Sequence, residues 1–206
     1  MKATTNGTLA ACLLWHAGSV MAMTDADLAT YLPDRAEIES RLDADVNGDG
    51  RKDIVLVAHN DEARVLLVMA AYESAGASGY EPIGQGALEF GPLGNAGLRM
   101  QRNVLVVEDL TGGTSAFATI YRYRFDPAET RMRLIGLDVE FYSRTMQHGS
   151  RKLSINYLTG ARVAQESELG KDQELVFGTE RRSQSKPQRI YLEDTPSPSD
   201  LLGFGE

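Results

Sequence analysis

Asp45, Asn47, Asp49 and Asp53 lie in the run Asp45-Val46-Asn47-Gly48-Asp49-Gly50-Arg51-Lys52-Asp53. Oxygen-bearing side chains recur at every second position, followed by a glycine and one further carboxylate. That spacing suits a hard cation, calcium above all, which takes about six to eight oxygen ligands in flexible geometry. In a helix-flanked calcium loop, positions 1, 3 and 5 give side-chain oxygens, position 6 is glycine, 7 gives a carbonyl and 9 a further ligand. Asp45, Asn47 and Asp49 match the first three, Gly50 the turn, Arg51 the carbonyl and Asp53 the ninth place. The bidentate glutamate expected at position 12 is replaced by Leu56.

A second reading needs no metal. Asn47-Gly48 and Asp49-Gly50 are turn dipeptides that join strands by backbone chemistry alone. Against it, a hairpin needs two such residues rather than four spaced acceptors. Three carboxylates in one short loop also repel one another unless a cation lies between them. Asp43 continues the alternation upstream and is read as an outer, solvated charge.

Ile54-Val55-Leu56-Val57-Ala58 follows at once, a β-branched-rich run of strand length that closes at His59-Asn60-Asp61. A cation loop that enters a strand is not a helix-loop-helix unit. Asp45 to Val57 resembles the calcium loop of FG-GAP/VCBS repeats, found in integrin-type β-propellers and many bacterial surface proteins. The resemblance implies side-chain ligands at Asp45, Asn47, Asp49 and Asp53 and a carbonyl ligand at Arg51. It covers the loop alone: no second copy recurs at a repeat spacing, and the chain is too short for a seven-bladed propeller.

The elements that must hold this loop read as strands. Ala36 to Leu42 leads in, and Arg64 to Ala71 is a second apolar run, antiparallel to Ile54–Ala58 through Asn60-Asp61-Glu62. Both runs are apolar on each face, which places them centrally. Residues 74–103 are glycine-dense and read as loop, and Gly84-Gln85-Gly86 completes no dinucleotide fingerprint. Val104 to Val107 is another central strand. Phe117, Tyr121, Tyr123 and Phe125 share one face of a strand and Arg122 and Arg124 the other; the aromatic row is either core or a stacking platform for sugar rings. Around Gly136 the apolar phase flips, which predicts a β-bulge. Leu153, Ile155 and Tyr157 form one more face. Arg181, Arg182, Lys186 and Arg189 read as a solvated basic loop or an acidic-partner site, before a last strand over 189–193.

Residues 1–22 read as a signal peptide, with Lys2, an apolar core from Leu9 to Val20, and Val20-Met21-Ala22 at the cleavage site. Leu9-Ala10-Ala11-Cys12 offers a minority lipoprotein reading through Cys12, the only cysteine; after cleavage at Ala22 none remains for a disulfide or a thiolate site. Thr24 then has N-cap chemistry for a short helix before Pro33. The remainder, 23–194, is long enough for one β-rich domain, with 195–206 as linker and tail. With 21 basic against 29 acidic residues the chain lacks the basic footprint of a nucleic-acid binder. No segment beyond the signal is apolar enough for a membrane span.

Catalytic motifs are absent from the primary sequence. No H-x-x-x-H pair occurs, and Gly113-Thr114-Ser115-Ala116-Phe117 lacks the last glycine of a nucleophile elbow. The expectation is therefore a mainly β, antiparallel curved meander or β-sandwich with a short N-terminal helix after the signal segment. It is exported to the periplasm or secreted, binds Ca²⁺ through Asp45, Asn47, Asp49, Arg51 and Asp53, and is non-enzymatic, meeting an unknown protein or glycan. The alternative is a calcium-dependent enzyme acting on polysaccharide, whose paired carboxylates the sequence does not locate.

Overall fold

The computed structural model describes residues 23–74 and 77–204, so the expected export segment and Cys12 lie outside the described residues. The fold is mainly β and antiparallel, and it does not close into a barrel. One sheet runs in sequence order: β1 (Glu37–Ala44), β2 (Asp53–His59), β3 (Arg64–Ser74) and β4 (Ala77–Ala87). The other holds β5 (Gly97–Gln101), β6 (Val104–Gly112), β7 (Ser115–Asp126), β8 (Arg131–Ser143), β9 (Arg151–Asn156), β10 (Ala161–Leu169) and β11 (Leu175–Phe177), also in sequence order. β12 (Arg181–Gln184) adds to β10, and β13 (Ile190–Tyr191) adds to β8.

The two sheets bury a shared core. Val55, Val57, Leu66 and Val68 from the first face Leu105, Val107, Tyr121, Tyr123, Leu137, Val139, Leu153 and Ile155 from the second. The opposite face of the first sheet is covered as well. Ile54, Leu56, Ala58, Leu67 and Met69 pack against Leu28, at the end of α1 (Asp25–Leu28), and against Tyr31 and Leu32 beyond it. This double cover is why β2 and β3 read as continuous apolar runs rather than alternating ones.

The structure corrects some expectations and bears out others. Residues 74–103 are not mainly loop, because β4 and β5 occupy much of the segment. Two glycines there answer to packing: a Cβ on Gly86 would lie 2.3 Å from the Leu192 carbonyl oxygen, and one on Gly84 3.3 Å from Leu192 and Met132 carbons. The basic stretch contains β12, paired to β10, rather than loop throughout. Residues 195–204, read as linker and tail, pack on the domain: Thr195 Oγ1 lies 3.0 Å from the Tyr123 hydroxyl, and Ser197 caps α2 (Pro198–Leu201) while bonding Glu89. Tyr121 and Tyr123 are each 1% exposed, so they are core and form no surface for sugars. The phase flip near Gly136 is a bulge, with Arg122 opposite Gly136, Tyr123 opposite Leu134, and Ile135 unpaired between them.

A buried ion cluster ties the sheets together. Arg64, at the start of β3, has its side chain sealed from solvent. Its Nε and Nη2 donate to the two oxygens of Glu39 at 2.8 Å each, and Nη1 and Nη2 donate to Asp109 of β6 at 2.9 and 2.8 Å. Nη1 also reaches the Glu89 carbonyl at 2.9 Å, so all five guanidinium N–H groups are used. Glu39 is the extra residue of a bulge in β1, between the Ile38–Ala58 and Ser40–Val57 pairs, and it also accepts from the Ala96 amide. Burial pushes the Glu39 carboxyl up, but the Arg64 bond and charge and the Ala96 amide together hold it below its ordinary value. A depressed carboxyl contributes stability above its unfolded pKa, and that contribution is lost as pH falls through the folded value. Arg64→Leu leaves two buried carboxylates facing each other and is expected to cost about 3–5 kcal/mol in urea unfolding at neutral pH. The deficit should narrow below the ordinary glutamate range. A loss under about 1 kcal/mol would show that the cluster does not join the sheets energetically.

Candidate metal centre

The loop between β1 and β2 is fixed at one end by Asp53. This side chain is fully buried at the first position of β2. Its Oδ2 accepts from the amides of Val46 at 2.7 Å and Asn47 at 3.2 Å, and its Oδ1 accepts from the Ala71 amide of β3 at 2.9 Å. Val46, 3% exposed, inserts into the shared core and anchors the loop midway. Burial pushes the Asp53 carboxyl up, the three amides offset part of that rise, and the Asp49 charge adds to it. A raised carboxyl contributes stability below its unfolded pKa that is lost as pH rises through the folded value, so ionising Asp53 costs the fold stability.

Asp45 and Asp49 are exposed and organise the turn from outside. Asp45 Oδ1 accepts from the amides of Gly48 at 2.7 Å and Asp49 at 3.2 Å, and its Oδ2 accepts from Gly50 at 2.9 Å. Asn47 Oδ1 accepts from the Asp49 amide at 2.9 Å, and Asp49 Oδ1 accepts from the Arg51 amide at 2.8 Å. Gly48 and Gly50 have φ of 86° and 84°, the left-handed region that lets the chain wrap around these oxygens. Arg51 bridges outward and inward: Nη2 lies 2.5 Å from Asp49 Oδ2, and Nε donates to the Ala71 carbonyl at 3.2 Å. Asp43 pairs with Arg41 at 3.0 Å, apart from this network.

All five expected site residues therefore share one loop, with two distinct duties. Asp45, Asn47 and Asp49 accept from amides of the turn itself in exposed bonds, whereas both Asp53 oxygens serve backbone amides in mostly buried bonds that reach β3. Among the described residues, no three His, Cys, Asp or Glu side chains form a ready cage for an ion. The donor chemistry fits calcium all the same, since a carboxylate has about four lone-pair sites and Asp45 uses three. The Arg51 guanidinium on Asp49 supplies positive charge where an ion would supply it.

Elsewhere, several surface carboxylates are engaged in ion pairs. Asp138 and Glu140 lie on the outer face of β8, with Arg122 at 2.7 Å and Lys152 at 3.1 Å. Arg181 and Arg182 pair with Glu166 and Glu180, at 2.8 and 2.7 Å. A different pair escaped the sequence reading. Ser115 Oγ and His148 Nε2 are 2.7 Å apart, and His148 Nδ1 is 2.7 Å from the Gly149 carbonyl oxygen. Ser115 sits in the Gly113–Phe117 run that lacks the last glycine of an elbow, and no local motif marks His148, 33 residues on at a neighbouring turn of the same sheet.

Replacing Asp53 by alanine removes the acceptor from three amides, two of them in buried bonds, and should destabilise the fold by about 3 kcal/mol in chelator as in calcium. Asp49→Ala should cost less than about 1 kcal/mol in chelator, because its partners are exposed. Urea unfolding of both variants separates the roles, and equal losses would contradict the division. No protein-family model, curated protein or solved structure matches the chain.

Proposed function

We propose that the chain is a calcium-binding β module of the cell envelope or extracellular space, exported through its first 22 residues. The loop from Asp45 to Asp53, similar to FG-GAP/VCBS calcium loops, is its ion site, and a protein or glycan is its partner. The supporting observation is the gathering of oxygens in one turn: Asp45, Asn47 and Asp49 hold side-chain oxygens together near the surface, above a buried Asp53 that fastens the turn to β3. Calcium would supply divalent charge there, drawing the Asp49 carboxylate from Arg51 and offsetting the cost of ionised Asp53. The loop leads straight into β2, the strand buried on both faces, so ordering it stiffens the entry to the core. Among the described residues, no helix is long and apolar enough to cross a membrane.

Thermal unfolding in excess calcium and in chelator tests the proposal. With a dissociation constant of about 10⁻⁴–10⁻³ M, as in extracellular modules, ~10 mM calcium stabilises by about 1.4–2.7 kcal/mol. For a domain of this size that is a rise of roughly 3–10 °C in Tm. The rise should grow with calcium concentration and vanish in Asp49→Ala. An unchanged Tm together with no heat in calorimetric titration would leave the loop as an Asn/Asp/Gly turn.

A further inference from the structure

We propose that Ser115 and His148 form a nucleophile–base pair that reacts with activated carboxylic esters bearing an apolar or aryl group. The Gly149 carbonyl can only accept, so in the neutral ring the proton sits on His148 Nδ1 and Nε2 is bare. Nε2 then accepts the Ser115 Oγ–H at 2.7 Å, the relation a general base needs with its nucleophile. A third group that orients the base completes the arrangement, here a backbone carbonyl rather than a carboxylate.

The imidazole is held in one orientation by more than these two bonds. Its ring stacks on Phe141 with centroids 5.0 Å apart and planes 8° from parallel. The turn before it is tied down by Ser143, whose Oγ accepts from the amides of Thr145 and Gln147 at 3.3 and 2.8 Å. Behind it, a Cβ on Gly149 would lie 1.7 Å from the Ser167 carbonyl oxygen, so the chain passes directly against β10. Ser150 fixes that approach, its amide donating to Ser167 Oγ at 2.8 Å and its carbonyl accepting from the Ser167 amide at 2.8 Å.

The surroundings supply an apolar wall. Phe141 contacts Phe117 at 4.9 Å and Phe204 at 4.5 Å between centroids, and Phe204 is 42% exposed. Such a wall suits an aryl or short acyl group beside the hydroxyl. In the reaction, Ser115 Oγ attacks the ester carbon and its proton passes to His148 Nε2. The alcohol leaves and takes that proton. Water, deprotonated by the same nitrogen, then attacks the Ser115 ester carbon; Nε2 returns the proton to Ser115 Oγ, and a carboxylic acid is released. No residue of the Asp45–Asp53 loop takes part, so this chemistry stands or falls separately from the calcium reading.

The test is covalent labelling of the intact chain with an aryl fluorophosphonate, in which Ser115 Oγ bonds phosphorus and fluoride leaves. The expected result is one phosphonyl adduct, mapped to Ser115 by peptide mass spectrometry and absent from urea-denatured chain. Labelling should slow about 100-fold in His148→Gln with unchanged thermal unfolding. Hydrolysis of p-nitrophenyl butyrate should disappear in Ser115→Ala. Should His148→Gln fail to fold, the contrast between folded and denatured wild-type chain decides alone. Absence of a Ser115 adduct in the folded chain, or an undiminished rate in folded His148→Gln, would overturn the proposal.

Discussion

Arg64 is the point through which the two sheets are made one body. A guanidinium withdrawn from water is tolerable only when every donor is used, and here Glu39, Asp109 and the Glu89 carbonyl use all five. The requirement runs outward from that cation. β1 must bulge for Glu39 to turn toward it, β6 must lie across β3 for Asp109 to meet it, and the chain after β4 must return for its carbonyl. The cluster carries one positive and two negative charges, so it remains acidic at its centre. That residual charge is offset by amides, of which Ala96 is one. Apolar packing alone would let two twisted sheets slide across each other; a planar fork bonded on three sides admits one register.

The loop at Asp45 applies the same economy on a smaller scale. A buried carboxylate again collects backbone donors from separate segments, Val46 and Asn47 on one side and Ala71 on the other. Sequence spacing presents Asp53 as one more ligand in a regular series. The fold gives it the work of joining the loop to β3, and leaves the outward residues to meet whatever is in solution. Asp45, Asn47, Asp49 and Arg51 keep their proximity because successive residues of a tight turn have nowhere else to go.

Legibility followed the range of the interactions. The two-faced burial of Ile54–Ala58 and Arg64–Ala71, the alternation over Phe117–Phe125 and the bulge beside Gly136 are periodic facts, written within a few residues, and each was readable. Gly84 and Gly86 are not loop glycines, and the sequence around them hides it: their reason lies at Leu192, more than a hundred positions on, where a side chain on Gly86 would strike backbone. Arg64 opens a strand like many arginines, and nothing near it announces partners at 39 and 109. Ser115 and His148 meet only because β6–β7 and β8–β9 turn at the same end of one sheet.

The close approach of Gly86 to Leu192 bears on the order in which the protein can be completed. Leu192 is wholly buried against β4 and β8, and it follows every strand of both sheets in a chain that is made N-terminus first. All four strands of the first sheet are therefore available long before the turn that covers β4. Until that turn arrives, the core-side face of β4 at Gly84 and Gly86 lies bare, without the apolar side chain that covers it in the finished fold. Synthesis thus imposes a waiting period on the first sheet, which ends only once the turn carrying Leu192 has been made.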